Sequence, residues 1–165
     1  MWAVILWQEL NFPGSSIQND LFKHASMILT PQTDMSIQDM DLLKKLWLSL
    51  GFNHVQISTP TEHDRMIAFT SQLPHVLSSA YIKSSSSFKH KGYSAGSYKD
   101  LSRVAKLNES MWTELFMLNR DNLVEEIDGV IDRLLQYRDA IKKGNEKKLW
   151  DLLHEGTERK TLIDG

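Results

Sequence analysis

The chain has 165 residues, 41% of them hydrophobic and 24% charged, with a net charge of −2 and no cysteine. That length holds one domain, or one and part of another, and the apolar fraction is enough for a core. The charge balance argues against a nucleic-acid binder, the lack of Cys excludes a disulfide framework and thiolate chemistry and fits the cytoplasm, and no run approaches the roughly 18 apolar residues of a membrane helix.

The opening MWAVILWQELNFPG has two tryptophans and no charge before Glu9. It is not a secretory signal, because it lacks a basic start and a small-residue cleavage site. A strand is expected within Trp2 to Trp7. Ser26 to Thr30 is a short apolar run that stops at Pro31, which reads as a strand. Ser36 caps a helix with Asp39 three residues on. Met40, Leu42, Leu43, Leu46, Trp47 and Leu50 follow at helical spacing, and Gly51 ends it. His54 to Ser58 alternates as a second strand. Strand, helix, strand in about 30 residues is a parallel crossover unit. Both strands are expected to be exposed edges of an incomplete sheet, because two strands make a poor sheet.

From Thr59 onward the pattern is helical. Thr59, Pro60 and Glu62 form a helix start. The helix is expected to reach about Lys83, with Pro74 inside it. An interior proline removes one backbone hydrogen bond and clashes with the carbonyl four residues earlier, here Thr70. A kink near Ser71 to His75 is predicted. Ser84 to Ser97 is a loop by composition. Ser97 with Asp100 is expected to open a short helix through Lys106. Asn108 is expected to cap one long helix to about Lys143, roughly 50 Å at about 1.5 Å per residue. Its apolar stripe is Trp112, Leu115, Phe116, Leu123, Ile127, Val130, Leu134, Tyr137 and Ile141. A stripe that long in so small a chain predicts a partner subunit as cover. Gly144 ends the helix, and Glu146 to about Thr161 is a final amphipathic helix.

Three stretches can carry chemistry. In SQLPH, Ser71 and His75 lie one turn apart at the proline kink, where carbonyls and space for a polar ligand are expected. A histidine there can donate or accept a proton near neutral pH; the plainer reading is a bent core helix. In YKDLSR, Arg103 lies four residues after Lys99, with Lys89 and Lys91 in the preceding loop. That cluster suits a carboxylate or phosphate, with Arg as the bidentate member; the plainer reading is a solvated face paired with Asp100. In TEHD, His63 between Glu62 and Asp64 is a poor metal site, because adjacent helix residues point apart.

LFKHASMILTP (Leu21 to Pro31), TPTEHDRMIAFTSQLPHVLSSA (Thr59 to Ala80), YKDLSRVA (Tyr98 to Ala105) and MWTELFMLNRDNL (Met111 to Leu123) stand in this order. Together they resemble prephenate dehydrogenase of tyrosine biosynthesis, from about Leu21 to the C-terminus. The resemblance implies a mainly α fold: a helical dimerisation and substrate domain at 60–165. It follows a short β-α-β remnant of a nucleotide-binding α/β domain at 1–59. The family reaction is NAD(P)-dependent oxidative decarboxylation of prephenate to 4-hydroxyphenylpyruvate. The resemblance further implies that His75 is the catalytic residue at the substrate and that Arg103 binds a substrate carboxylate. Ser71, Gln72, Trp112 and Asn119 would line or support the pocket. Gln72 replaces the histidine of the commonest S-H-L-P-H motif, so that position cannot titrate. A homodimer through the helix Asn108 to Lys143 is implied, with prephenate or tyrosine as weak ligands and neither nucleic acid nor membrane as partner.

No G-x-G-x-x-G follows a strand in these residues, and the family's H-P-M-A-G-T-E segment is missing. Where it belongs, one allowed set of codons for Met1 to Gly14, read from the third base, translates as V-G-G-H-P-M-A-G-T-E-F-S-G. The opening is therefore expected to be an out-of-frame reading of the family's catalytic segment. The expectation is a truncated dehydrogenase, inactive alone and binding no NAD or NADP itself. The alternative is a non-catalytic helical dimerisation module that pairs with an intact dehydrogenase subunit.

Overall fold

The computed structural model describes residues 3–5, 22–23, 25–31 and 34–164. Most of the segment read as out of frame lies outside the described residues. The described chain is mainly helical and divides into two compact units, Met1–Met66 and Ile67–Gly165.

In the first unit, β1 (Ala3–Ile5), β2 (Ser26–Leu29) and β3 (His54–Ile57) form one sheet in that order. β2 and β3 are parallel, with Met27 opposite Val55 and Leu29 opposite Ile57. β1 adds antiparallel to β2, with Val4 opposite Ile28. This corrects the expectation that both later strands are edges: β2 is central. Backbone pairing needs only an extended neighbour in reach, and a short piece of the opening run supplies it.

The crossover helix α1 (Ile37–Ser49) starts where Ser36 Oγ accepts the Asp39 N–H at 3.1 Å. It ends at Gly51, whose φ of +99° suits a residue without Cβ. Met27 and Leu29, two apart on β2, face the same side of the sheet. They form the core with Phe52 and Val55. Met40, Leu43 and Trp47 of α1 pack against it. Phe22 stacks on Phe52 with ring centres 4.5 Å apart, and Trp47 meets Phe52 edge-on at 5.7 Å. Leu42, Leu46 and Leu50 stay exposed, so the apolar stripe of α1 is wider than the sheet it covers. The next helix, α2 (Pro60–Ile67), begins as expected: Thr59 Oγ1 accepts the Glu62 N–H at 3.1 Å. The Glu62 carboxylate reaches back to the Ser58 hydroxyl at 3.0 Å.

The second unit opens with a π-helical turn, Ala68–Gln72, which runs into α3 (Leu73–Ile82). Then come a 3₁₀ turn at Ser85–Lys89, α4 (Gly96–Ser102), α5 (Glu109–Leu118), α6 (Arg120–Lys142) and α7 (Glu146–Asp164). α3 packs on α4, and α6 packs on α7 and on the π turn. Tyr137 Oη donates to the Leu152 carbonyl at 3.0 Å and joins α6 to α7. Gly144, at φ +61°, makes the turn between them.

Two expectations are corrected here. Ser97 does not cap α4: the cap position is Ala95, two residues earlier, and the helix stops at Ser102. Past Ser102 the chain passes through a turn at residues 103–104 and is extended at Asn108, which caps α5 through its own Oδ1, so the helix does not run on through Lys106. The single helix Asn108 to Lys143 is two helices. Asn119 breaks it with φ −115° and ψ 30°, outside helical values. The 23 residues of α6 span about 34 Å at about 1.5 Å each. The predicted stripe divides accordingly: Leu123 is buried and Ile127, Val130 and Tyr137 are half-buried within the unit. Leu134 and Ile141 face outward.

Met27 has no exposed surface. Met27→Ala is expected to cost about 2–5 kcal/mol, read from the first unit's transition in urea unfolding.

Candidate functional site

The site is built on the helical stretch that carries Pro74. A regular α-helix through Pro74 would leave the Thr70 carbonyl without its donor and press the ring against it. The chain instead widens by one residue per turn just before the proline. The Leu73 N–H donates five residues back to the Ala68 carbonyl. This is the expected disturbance, set earlier than Ser71 to His75, and π turns are frequent at functional sites.

His75 sits half-buried just after this turn. Its Nδ1 lies 2.7 Å from the Ser71 carbonyl oxygen. A carbonyl only accepts, so Nδ1 carries the proton and the neutral ring keeps its lone pair on Nε2. The imidazole lies against Trp112 of α5, ring centres 4.0 Å apart at 31°. Trp112 in turn meets Phe116 at 5.3 Å. The indole face limits the ways the imidazole can turn, and the carbonyl selects its tautomer.

Gln72, the last residue of the π turn, is buried at 5% exposure. Its Nε2 donates to the Leu115 carbonyl at 3.1 Å. Its Oε1 accepts from Asn119 Nδ2 at 2.9 Å. Asn119 Oδ1 accepts from Asn122 Nδ2 at 2.8 Å. The direction of this chain is forced at one end, because the Leu115 carbonyl can only accept. Each amide is then oriented by the one before it.

The structure thus brings Ser71, Gln72, His75, Trp112 and Asn119 into one connected group. Arg103 is exposed at the C-terminal end of α4, the helix that packs on α3. Lys99 lies in the last turn of α4, and Lys89 and Lys91 are exposed in the preceding loop. In the first unit, His63 Nδ1 pairs with its own neighbour, Asp64 Oδ1, at 2.9 Å.

Sequence reading missed Asn122 and the aromatic flank of α4. Asn122 had a signal, since it lies three residues after Asn119, the spacing of side chains that meet on one helix face. His90 stacks on Tyr98 at 4.4 Å, with Nδ1 3.1 Å from Ser94 Oγ, and Tyr81 lies 6.0 Å from Tyr98. No local spacing announced that cluster, because His90 belongs to the loop.

Comparison with known proteins gives a consistent result. Residues 59–155 match the family model described as prephenate dehydrogenase, dimerization domain. The cyclohexadienyl dehydrogenase of Zymomonas mobilis is 30% identical over 128 residues, 74% of this chain and 43% of that protein. The prephenate dehydrogenase of Bacillus subtilis is 25% identical over 135 residues, 79% of this chain and 36% of that protein. The chain therefore spans about two fifths of the length of these relatives. Among solved structures, prephenate dehydrogenase from A. aeolicus, in complex with hydroxyphenyl propionate and NAD+, superposes with a TM-score of 0.73 at 27% identity. The match covers 88% of this chain and 52% of that one. Synechocystis arogenate dehydrogenase, at 24% identity and a TM-score of 0.73, shares the fold over 87% of this chain and 54% of that one. Among the described residues no helix is long and apolar enough to cross a membrane.

The tautomer of His75 can be observed directly. Long-range proton–nitrogen correlation spectra of the neutral ring are expected to show hydrogen on Nδ1 and a bare Nε2. Hydrogen on Nε2 would contradict the contact with Ser71.

Proposed function

This chain belongs to the prephenate dehydrogenase dimerization-domain family, and from that premise we propose that it forms the substrate-binding and dimerising part of such an enzyme. The reaction is NAD(P)-dependent oxidative decarboxylation of prephenate to 4-hydroxyphenylpyruvate, a step of tyrosine biosynthesis in the cytoplasm. The observation that carries the reading is His75, its Nδ1 tied to the Ser71 carbonyl and its face against Trp112. That arrangement presents one defined lone pair, on Nε2, to a ligand.

In this reading residues 1–59 are the end of a nucleotide-binding domain, and residues 60–165 are the helical domain. The connections β2–α1 and β3–α2 contain no glycine, so neither offers the close backbone approach that a dinucleotide pyrophosphate needs. These residues do not fit the cofactor, and its site is assigned outside them. A nicotinamide cofactor held there would supply the hydride acceptor of the family reaction.

What this chain's residues do is bind and orient. Arg103 presents a planar fork of donors that matches a carboxylate of the dianionic substrate. His75 Nε2 accepts a hydrogen bond from the substrate, with Trp112 holding the imidazole in place. Ser71 acts through its carbonyl. Gln72 and Asn119 support the wall behind them. Tyrosine, which shares the aromatic ring and a carboxylate, is a second weak ligand.

The dimer is the other half of the proposal. Val124, Ile131, Leu134, Leu135 and Ile141 of α6 are exposed to 40% or more. Apolar residues repeated along one helix need cover, and a second copy of the helix supplies it. The same surface supports the alternative role of a non-catalytic module that pairs with an intact dehydrogenase subunit. Ligand binding separates the two readings.

Hydroxyphenyl propionate is the probe. The chain is expected to gain thermal stability with it, and Arg103→Ala is expected to lose that gain with at least tenfold weaker binding while remaining dimeric. A chain with no ligand response would leave only the module reading; a mutant that loses its dimer would mean Arg103 is misplaced. Leu134→Glu is expected to give monomers by light scattering, and a monomeric wild type would end the dimer proposal.

A further inference from the structure

We propose that Gln72, Asn119 and Asn122 form a directed amide relay whose task is to position Trp112 against His75, so that Gln72 and Asn119 act as positioning residues and not as ligands of the substrate. The inference rests on the reading of His75 as a substrate-site residue, but its test needs no substrate.

Gln72 lies 43 residues before Leu115 and 47 before Asn119, and it is a buried link between the π turn and the end of α5. Its two bonds go to different parts of the same corner. One is to the Leu115 carbonyl, in the turn of α5 that follows Trp112. The other is to Asn119, the residue at which α5 ends. Asn122, in the first turn of α6, then holds the Asn119 side chain from the far side. The end of α5 is therefore clamped to the turn that carries His75, and Trp112 and His75 are brought to 4.0 Å by bonds that neither of them makes.

Residue type matters at each point. The Gln72 site calls for one donor toward Leu115 and one acceptor toward Asn119. An amide supplies both without a titrating group. Leu at that position would supply neither the donor toward Leu115 nor the acceptor toward Asn119, and Glu would set an acceptor against the Leu115 carbonyl. A neutral imidazole also has one donor and one acceptor. Histidine at position 72 therefore restores the pattern while it stays neutral, and burial disfavours its charged form.

The test uses the full chain labelled with fluorotryptophan and followed by fluorine NMR, with the Trp112 signal assigned by Trp112→Phe. In the wild type the Trp112 signal carries the ring-current shift of the stacked His75 imidazole, and His75→Leu removes that contribution. Gln72→Leu and Asn119→Ala are expected to reduce that His75-dependent shift of the Trp112 signal at least twofold. Gln72→His is expected to restore it. If either variant fails to fold, Asn119→Asp decides. It keeps the size and the acceptor for Asn122 but turns an oxygen toward Gln72 Oε1. Folded variants with a wild-type Trp112 profile would overturn the proposal, as would a Gln72→His variant no better than Gln72→Leu. Loss of substrate binding through Arg103 would leave these outcomes unchanged.

Discussion

Proline has no N–H to give, and Pro74 stands inside a helical stretch. The backbone meets that constraint with a π turn at Ala68–Gln72 in place of a break. Two consequences follow from this local change. Gln72 at the end of the turn is buried against the corner of α5 and α6. His75, three residues later, lies with its Nδ1 on the Ser71 carbonyl and its ring on Trp112. The candidate site is a consequence of how the chain accommodates one missing donor.

The same corner adjoins the helix proposed to form the dimer. Asn119 ends α5 and precedes the first residue of α6. α6 packs inward on the π turn and α7 and leaves Ile131, Leu134 and Ile141 outward. An oligomer formed along α6 would therefore sit on the element whose first turn holds Asn122 and, through it, Asn119. In this account, association and the placement of His75 share a structural part, and a partner subunit would steady both.

Local chemistry made much of the fold legible. Ser36 before α1, Thr59 and Pro60 before α2, Asn108 before α5 and Gly144 after α6 each act within three or four residues of themselves, and each behaves as its residue type predicts. The four stretches Leu21 to Pro31, Thr59 to Ala80, Tyr98 to Ala105 and Met111 to Leu123 led to the family through their order and content. Pro74 announced a disturbance but not its form, because a kink and a π turn answer the same missing bond. The break at Asn119 was not legible. The apolar stripe runs on past it, and the bond at this break goes to Gln72, 47 residues away. The early end of α4 was not legible either: nothing in its own spacing marks the stop at Ser102, and Arg103 keeps helical backbone angles, φ −54° and ψ −42°, one residue beyond it. The pairing of β1 was hidden too, since periodicity says nothing about which extended segment lies beside another.

The central claim is that this helical unit holds a carboxylate ligand between Arg103 and the oriented His75. A crystal structure of the chain soaked with prephenate tests it most directly. The account predicts a ligand carboxylate on the Arg103 guanidinium and a ligand oxygen within hydrogen-bond distance of His75 Nε2, with the imidazole still against Trp112. A ligand bound elsewhere, or an imidazole turned so that Nε2 faces the Ser71 carbonyl, would contradict it.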